Sequence, residues 1–188
     1  MTDLPLETRS GLPEALQALL ADYPRTDWTL HRNFDGLVSF WLDRHLNFRH
    51  LTARMQAGVQ QVLDGAADPE HFAATLSRSG NQFLSELHGH HQIEDLHYFP
   101  ALTRLQPNLE RGFTMLEADH HALDHHLHNF TTSANAVLTS WQTPALITHT
   151  AAFETDLAAI TALLDRHLVD EEDLIVPVLL HHGPGAVD

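Results

Sequence analysis

Prolines and glycines cut this chain into four long stretches whose apolar residues recur at three- and four-residue steps, a pattern that suits a helix buried on one face and not a strand. The first runs without a proline from Trp28 to about Leu63, through Leu37, Phe40, Trp41, Phe48, Leu51, Met55, Val59 and Leu63. Asp64-Gly65-Ala66-Ala67 breaks it, and Asp68-Pro69 offers a cap and a first-turn proline for a second helix reaching about Phe99. Pro100 and Pro107 interrupt the chain before a third stretch, Leu109 to about Leu138, through Phe113, Leu116, Leu123, Leu127 and Phe130. Thr143-Pro144 repeats the cap-and-proline start, and the fourth helix is expected to extend to about Val176, stopped by Pro177, with Gly183-Pro184-Gly185 opening a tail. Nothing reads as a strand, so the expected fold is all-α: an up-down-up-down four-helix bundle over residues 28–180. A tail, 181–188, follows it. An N-terminal extension, 1–27, precedes it with Pro5, Pro13, Pro24 and one short amphipathic stretch near Pro13–Asp22, and carries no assigned chemistry.

The chain's 188 residues suit one compact domain, and no window approaches the ~20 uninterrupted apolar residues of a membrane span. Its start, MTDLPLETRSGLPEAL, lacks the positive-then-apolar order of a secretory signal, so a cytoplasmic location is expected. With no cysteine, thiolate metal sites, iron–sulfur clusters, disulfides and cysteine nucleophiles are excluded, and any metal must be held by nitrogen and oxygen. Ten basic residues, all arginine, stand against 25 acidic ones, and a net charge of -15 would repel nucleic acid and anionic membrane surfaces. The 17 histidines are spread along the chain, not gathered in a terminal tag, and so ask for a structural explanation.

An internal repeat narrows that explanation. His90-His91-Gln92-Ile93-Glu94-Asp95, continuing to Pro100-Ala101-Leu102, parallels His167-Leu168-Val169-Asp170-Glu171-Glu172, continuing to Pro177-Val178-Leu179. The shared pattern is H-x3-E-[DE]-x4-P-x-L. Residues four apart on a helix differ by only ~40° around the axis and ~6 Å along it, so each histidine and glutamate point to one place and can grip one metal ion. Two such pairs on facing helices would give terminal imidazoles and carboxylates able to bridge neighbouring ions. Leu42-Asp43-Arg44-His45-Leu46 repeats Leu164-Asp165-Arg166-His167-Leu168, which selects His45 on the first helix over His31 and His50. On the third, Glu117-Ala118-Asp119-His120-His121-Ala122-Leu123-Asp124 offers His120 with Asp124, or in a competing register His121 with His125.

Over roughly residues 28–180 these motifs resemble the hemerythrin-like (HHE) cation-binding domains. The family's pattern is one histidine on helix one, H-x3-E with a following acid on helix two, a histidine in a D-H string on helix three and H-x3-E-E on helix four. His45, His90, Glu94, His120, His167 and Glu171 match those positions and are the expected metal ligands. Invertebrate hemerythrins carry a second histidine on helix three, where this chain has Asp124. His91, His97, His121, His125 and His126 neighbour the expected ligands, as helpers or alternative ligands, whereas His71, His88, His128, His149, His181 and His182 are expected to be ordinary surface or hydrogen-bonded residues.

Imidazoles mixed with bridging carboxylates favour iron, with manganese or zinc less apt, so the expected cofactor is a carboxylate-bridged pair of iron ions with an oxo, hydroxo or water ligand. The resemblance implies a small partner, dioxygen, nitric oxide or peroxide, at an open coordination position. The expected function is binding or sensing of dioxygen, nitric oxide or iron. The alternatives are a di-iron enzyme of ferroxidase, peroxidase or nitric-oxide-reducing type, and a metal-stabilised interaction module. Trp41, Phe48, Phe83, Phe99 and Phe153 are candidates for an apolar wall around the centre.

Overall fold

A computed structural model describes residues 5–34 and 36–187, and among these there are helices and turns but no strand. Four long helices carry the architecture, as the sequence periodicity requires: α1 (Gly36–Leu63), α2 (Pro69–Ile93), α3 (Glu110–Ser140) and α4 (Leu146–His182). The described residues fall into two compact units. One is drawn from Met1–Leu46, His90–His121 and Asp165–Asp188, the other from Asn47–Gly89 and Ala122–Leu164. Among the described residues no helix is long and apolar enough to cross a membrane.

The boundaries differ from the sequence expectation in three places, each for a local reason. The first helix starts at Gly36 and not at Trp28, because Trp28 lies in a 3-10 turn, Arg25–Leu30, where its indole donates to the Tyr23 carbonyl at 2.7 Å. His31 then adopts an extended backbone (ψ 138°) that no helix can continue. The second helix does not end near Phe99: a π-turn, Glu94–Tyr98, leads into another helical segment, Phe99–Leu105. Pro100 in an ordinary helix would press its ring on the carbonyl four residues earlier, and the wider π-turn immediately before it makes room. The fourth helix passes straight through Pro177 to His182. Proline in a helix interior costs ~3 kcal/mol, but Leu174, Ile175, Val176, Val178, Leu179 and Leu180 are all at most 1% exposed. At ~1.5–3 kcal/mol for each buried aliphatic side chain, their packing outweighs the proline several-fold.

Asp68 does cap α2, its Oδ1 accepting from the His71 amide at 2.7 Å. Gly65, at φ +70°, reverses the chain after α1 in the left-handed conformation that few other residues take. Phe40, placed by periodicity on the buried stripe, is instead 60% exposed, with the Arg44 guanidinium 5.8 Å over its ring.

The two units have different interiors. In the second, one phenylalanine from each long helix meets the others in a chain of ring contacts: Phe48 with Phe83 (6.4 Å), Phe83 with Phe130 (5.6 Å) and Phe130 with Phe153 (5.3 Å). In the first, Leu12, Leu16 and Trp28 of the N-terminal segment join an apolar cluster with Trp41, Phe99, Phe113 and the end of α4. The same unit also encloses a set of buried charged side chains.

Candidate metal centre

All six residues expected from the sequence arrive in that first unit, one or two from each helix. His45 comes from α1, His90 from α2, Glu94 from the π-turn that follows it, His120 from α3, and His167 and Glu171 from α4. They form two groups, with His91 joining one of them. His45, His90, Glu94 and Glu171 have donor atoms all within 4.8 Å of one another, and so do His91, His120 and His167.

The two glutamates stand between the groups. Glu94 sets Oε1 2.9 Å from His90 Nε2 and Oε2 3.6 Å from His120 Nε2. Glu171 sets Oε2 3.5 Å from His45 Nε2 and 3.4 Å from His167 Nε2. Each carboxylate thus faces one imidazole of either group, as a bridge between two cations requires. Glu171 is fixed from behind by the Trp41 indole, which donates to Oε1 at 2.6 Å.

The charge state of these groups suits cation binding. Burial, reinforced by the neighbouring His167, lowers His120 to about 3, and burial likewise holds His90 at about 3 and His91 well below the usual imidazole value. These three are neutral, the form that donates a lone pair. Burial, then the charge of Glu171, raises Glu94 well above the carboxylate range, while Glu171 stays well below it despite burial, chiefly because His45 stands beside it. His45 is raised despite burial by Glu171 and Glu172. The pocket therefore stores protons that cations would displace.

Several of the atoms aimed inward also lack hydrogen-bond partners. Among the described residues, the buried side-chain atoms without a hydrogen bond include Nε2 of His91, His120 and His167, both oxygens of Glu94 and Oε2 of Glu171. A buried unpaired polar atom costs ~1–3 kcal/mol, and six converging in one place are a fit for metal ions.

Behind the imidazoles stand acids adjacent in sequence to the inner residues. His120 Nδ1 meets Asp95 Oδ1 at 2.8 Å, His45 Nδ1 meets Glu172 Oε1 at 3.0 Å, and His167 Nδ1 meets Asp119 Oδ2 at 3.4 Å. A carboxylate on Nδ1 fixes the tautomer that leaves Nε2 free to bind. This explains the second acid of the H-x3-E-[DE] repeat: the glutamate faces inward, and the next residue orients a histidine from another helix.

His91, whose ring stacks on His120 at 3.9 Å and 8°, supplies the third imidazole of its group. Asp124, His121 and His125, the competing candidates on α3, are exposed. The doublet His90-His91 at the head of the repeat was the sequence signal. Of the suggested apolar wall, Trp41 and Phe99 belong to the unit that holds the centre, and Phe99 stacks 5.7 Å from His120. Phe48, Phe83 and Phe153 belong to the other unit and its phenylalanine core. Arg9, buried between Asp119 and Asp170, lies in the N-terminal extension, where no chemistry was expected.

The Hemerythrin HHE cation binding domain family matches residues 36–179. The chain belongs to that family, and cation binding is the property the family and the clustered donors share. No curated protein and no solved structure matches it.

Proposed function

We propose that this chain is a cytoplasmic non-haem di-iron protein that binds or senses dioxygen or nitric oxide, or handles iron itself. The observation that carries the reading is that Glu94 and Glu171 each face a histidine of both donor groups. His45 and His90 would hold one ion, and His91, His120 and His167 the other, with the two glutamates shared between them. Five imidazoles with bridging carboxylates favour iron over softer or harder ions. Bound iron would supply an open coordination position for a diatomic ligand or peroxide. The group with two imidazoles is the natural place for it, because it has fewer nitrogen donors and because its His90 side chain keeps 10% exposure. Trp41, donating to Glu171 at 2.6 Å, holds that carboxylate in place, and His90, His91 and His120 are neutral.

Protein produced with iron should carry about two metal equivalents, show an ultraviolet charge-transfer band, and change its spectrum on adding dioxygen, azide or nitric oxide. Two equivalents without any such response would overturn the ligand-binding reading. Turnover of ferrous ion, peroxide or nitric oxide would move it to an enzyme. Glu94→Ala and Glu171→Ala should each lose metal by on the order of a hundred-fold in affinity, whereas His71→Ala, on the exposed face of α2, should retain it. Equal metal content in all three variants would contradict the site.

A further inference from the structure

The N-terminal segment places two arginines against the acids that orient the inner histidines. Arg9 has a fully buried side chain whose fork meets both oxygens of Asp119, Nη1 to Oδ1 at 3.0 Å and Nη2 to Oδ2, while its Nε donates to Asp170 Oδ2 at 2.6 Å. Asp119 Oδ2 is the oxygen that faces His167 Nδ1. Arg25 donates from Nη1 to Glu172 Oε2 at 2.7 Å, from Nε to Asp173 Oδ1 at 2.6 Å and from Nη2 to the Val169 carbonyl at 3.0 Å. The other oxygen of Glu172 is the one that meets His45 Nδ1. Each arginine therefore ends a line running arginine, carboxylate, histidine, and the two lines reach different donor groups.

We infer that residues 5–30 are a working part of the metal centre, in which Arg9 and Arg25 are positioning residues that set how tightly the two donor groups hold their ions. The inference rests on the metal-binding reading above. Fastening the segment to the helices does not require these arginines, since Leu12, Leu16 and Trp28 already bury it in the apolar cluster. Arg9 instead occupies a position where only a charged fork satisfies two buried carboxylates at once. Without it, Asp119 loses the partner that fixes its direction toward His167. Without Arg25, Glu172 is free to turn from His45 toward water.

The test uses the full chain loaded with cobalt(II) alone, whose visible ligand-field bands report donor geometry, followed by release into excess chelator. Arg25→Met, at a side chain 41% exposed, should fold normally, shift the bands and release cobalt about ten- to a hundred-fold faster than the unaltered protein. Arg25→Lys should recover only part of this, keeping the charge without the fork. Arg9→Met should show the larger effect, and if it fails to fold, Arg25→Met and Asp119→Asn decide. Unchanged bands and release rates in folded Arg25→Met and Asp119→Asn would overturn the inference while leaving the metal site standing. An unaltered protein that takes up no cobalt and no iron would overturn both.

Discussion

The two units bury different chemistry. Among the described residues of the unit holding the centre, the buried polar ones are Arg9, His45, His91, Glu94, Asp119, His120, His167, Asp170, Glu171 and Glu172. In the other they are Thr52, Ser79, Ser140 and Thr150, around the four phenylalanines. Hydroxyls can return a bond to their own helix, as Ser140 does to the Ala136 carbonyl at 2.8 Å, and so cost little inside a helix bundle. Ionisable groups cannot, and they must pair with one another or with a cation. Both units exclude water from apolar side chains, but the one holding the centre also gives up stability to keep donors poised.

The largest expected consequence is acid sensitivity confined to one unit. An unfolded chain protonates His90, His91 and His120 near 6.5, whereas the folded protein holds His90 and His120 at about 3 and His91 well below the usual value. Between those values the unfolded state binds more protons, so acidification destabilises the metal-free protein. Glu171, held low, loses its contribution in the same direction, while the raised His45 and Glu94 oppose it. Melting temperature of the metal-free protein should fall from about pH 6.5 to about pH 4, and iron should reduce the fall. A flat profile would remove the electrostatic distinction between the units.

The converse test lies in the phenylalanine core. Phe83→Ala, at a fully buried ring between Phe48 and Phe130, should cost about 3–5 kcal/mol in urea unfolding. The folded variant should bind as much metal as before, and loss of metal with the fold intact would show that the two interiors are not separable.

Two glycines sharpen the contrast at smaller scale. A Cβ on Gly112 would stand 2.7 Å from Leu174 Cδ2 and 3.4 Å from Leu16 Cδ1, so Gly112→Ala should destabilise by about 1–3 kcal/mol. A Cβ on Gly80 would meet Phe130 at 3.8 Å, an ordinary contact, and Gly80→Ala should stabilise by about 0.5–1 kcal/mol through helix propensity. Denaturant midpoints moving the same way for both would show that backbone propensity, and not packing, governs these positions.

The repeat H-x3-E-[DE] made most of the centre legible in advance, because a helix brings residues four apart onto one side whatever surrounds it. Periodicity gave the helices for the same local reason. It failed at Pro177, where burial of six neighbouring aliphatic residues overrides a helix breaker, and at Pro100, where a π-turn absorbs the proline. His91 could not be separated from His121 or His125 by spacing alone, since His91 and His121 each adjoin an expected ligand, His125 lies four residues on from His121, and only packing decides which ring turns inward.

What the sequence determined, then, is whatever depends on neighbours along the chain: four helices, the paired histidines and glutamates, and a donor set without sulfur. The tertiary structure decided which donors share a pocket, that each glutamate faces both groups, and that Arg9 and Arg25 stand behind Asp119 and Glu172. Arg9 and Asp119 are separated by 110 residues, and no helical period links them. Their pairing follows from burial, because a guanidinium and a carboxylate removed from water are stable there only together.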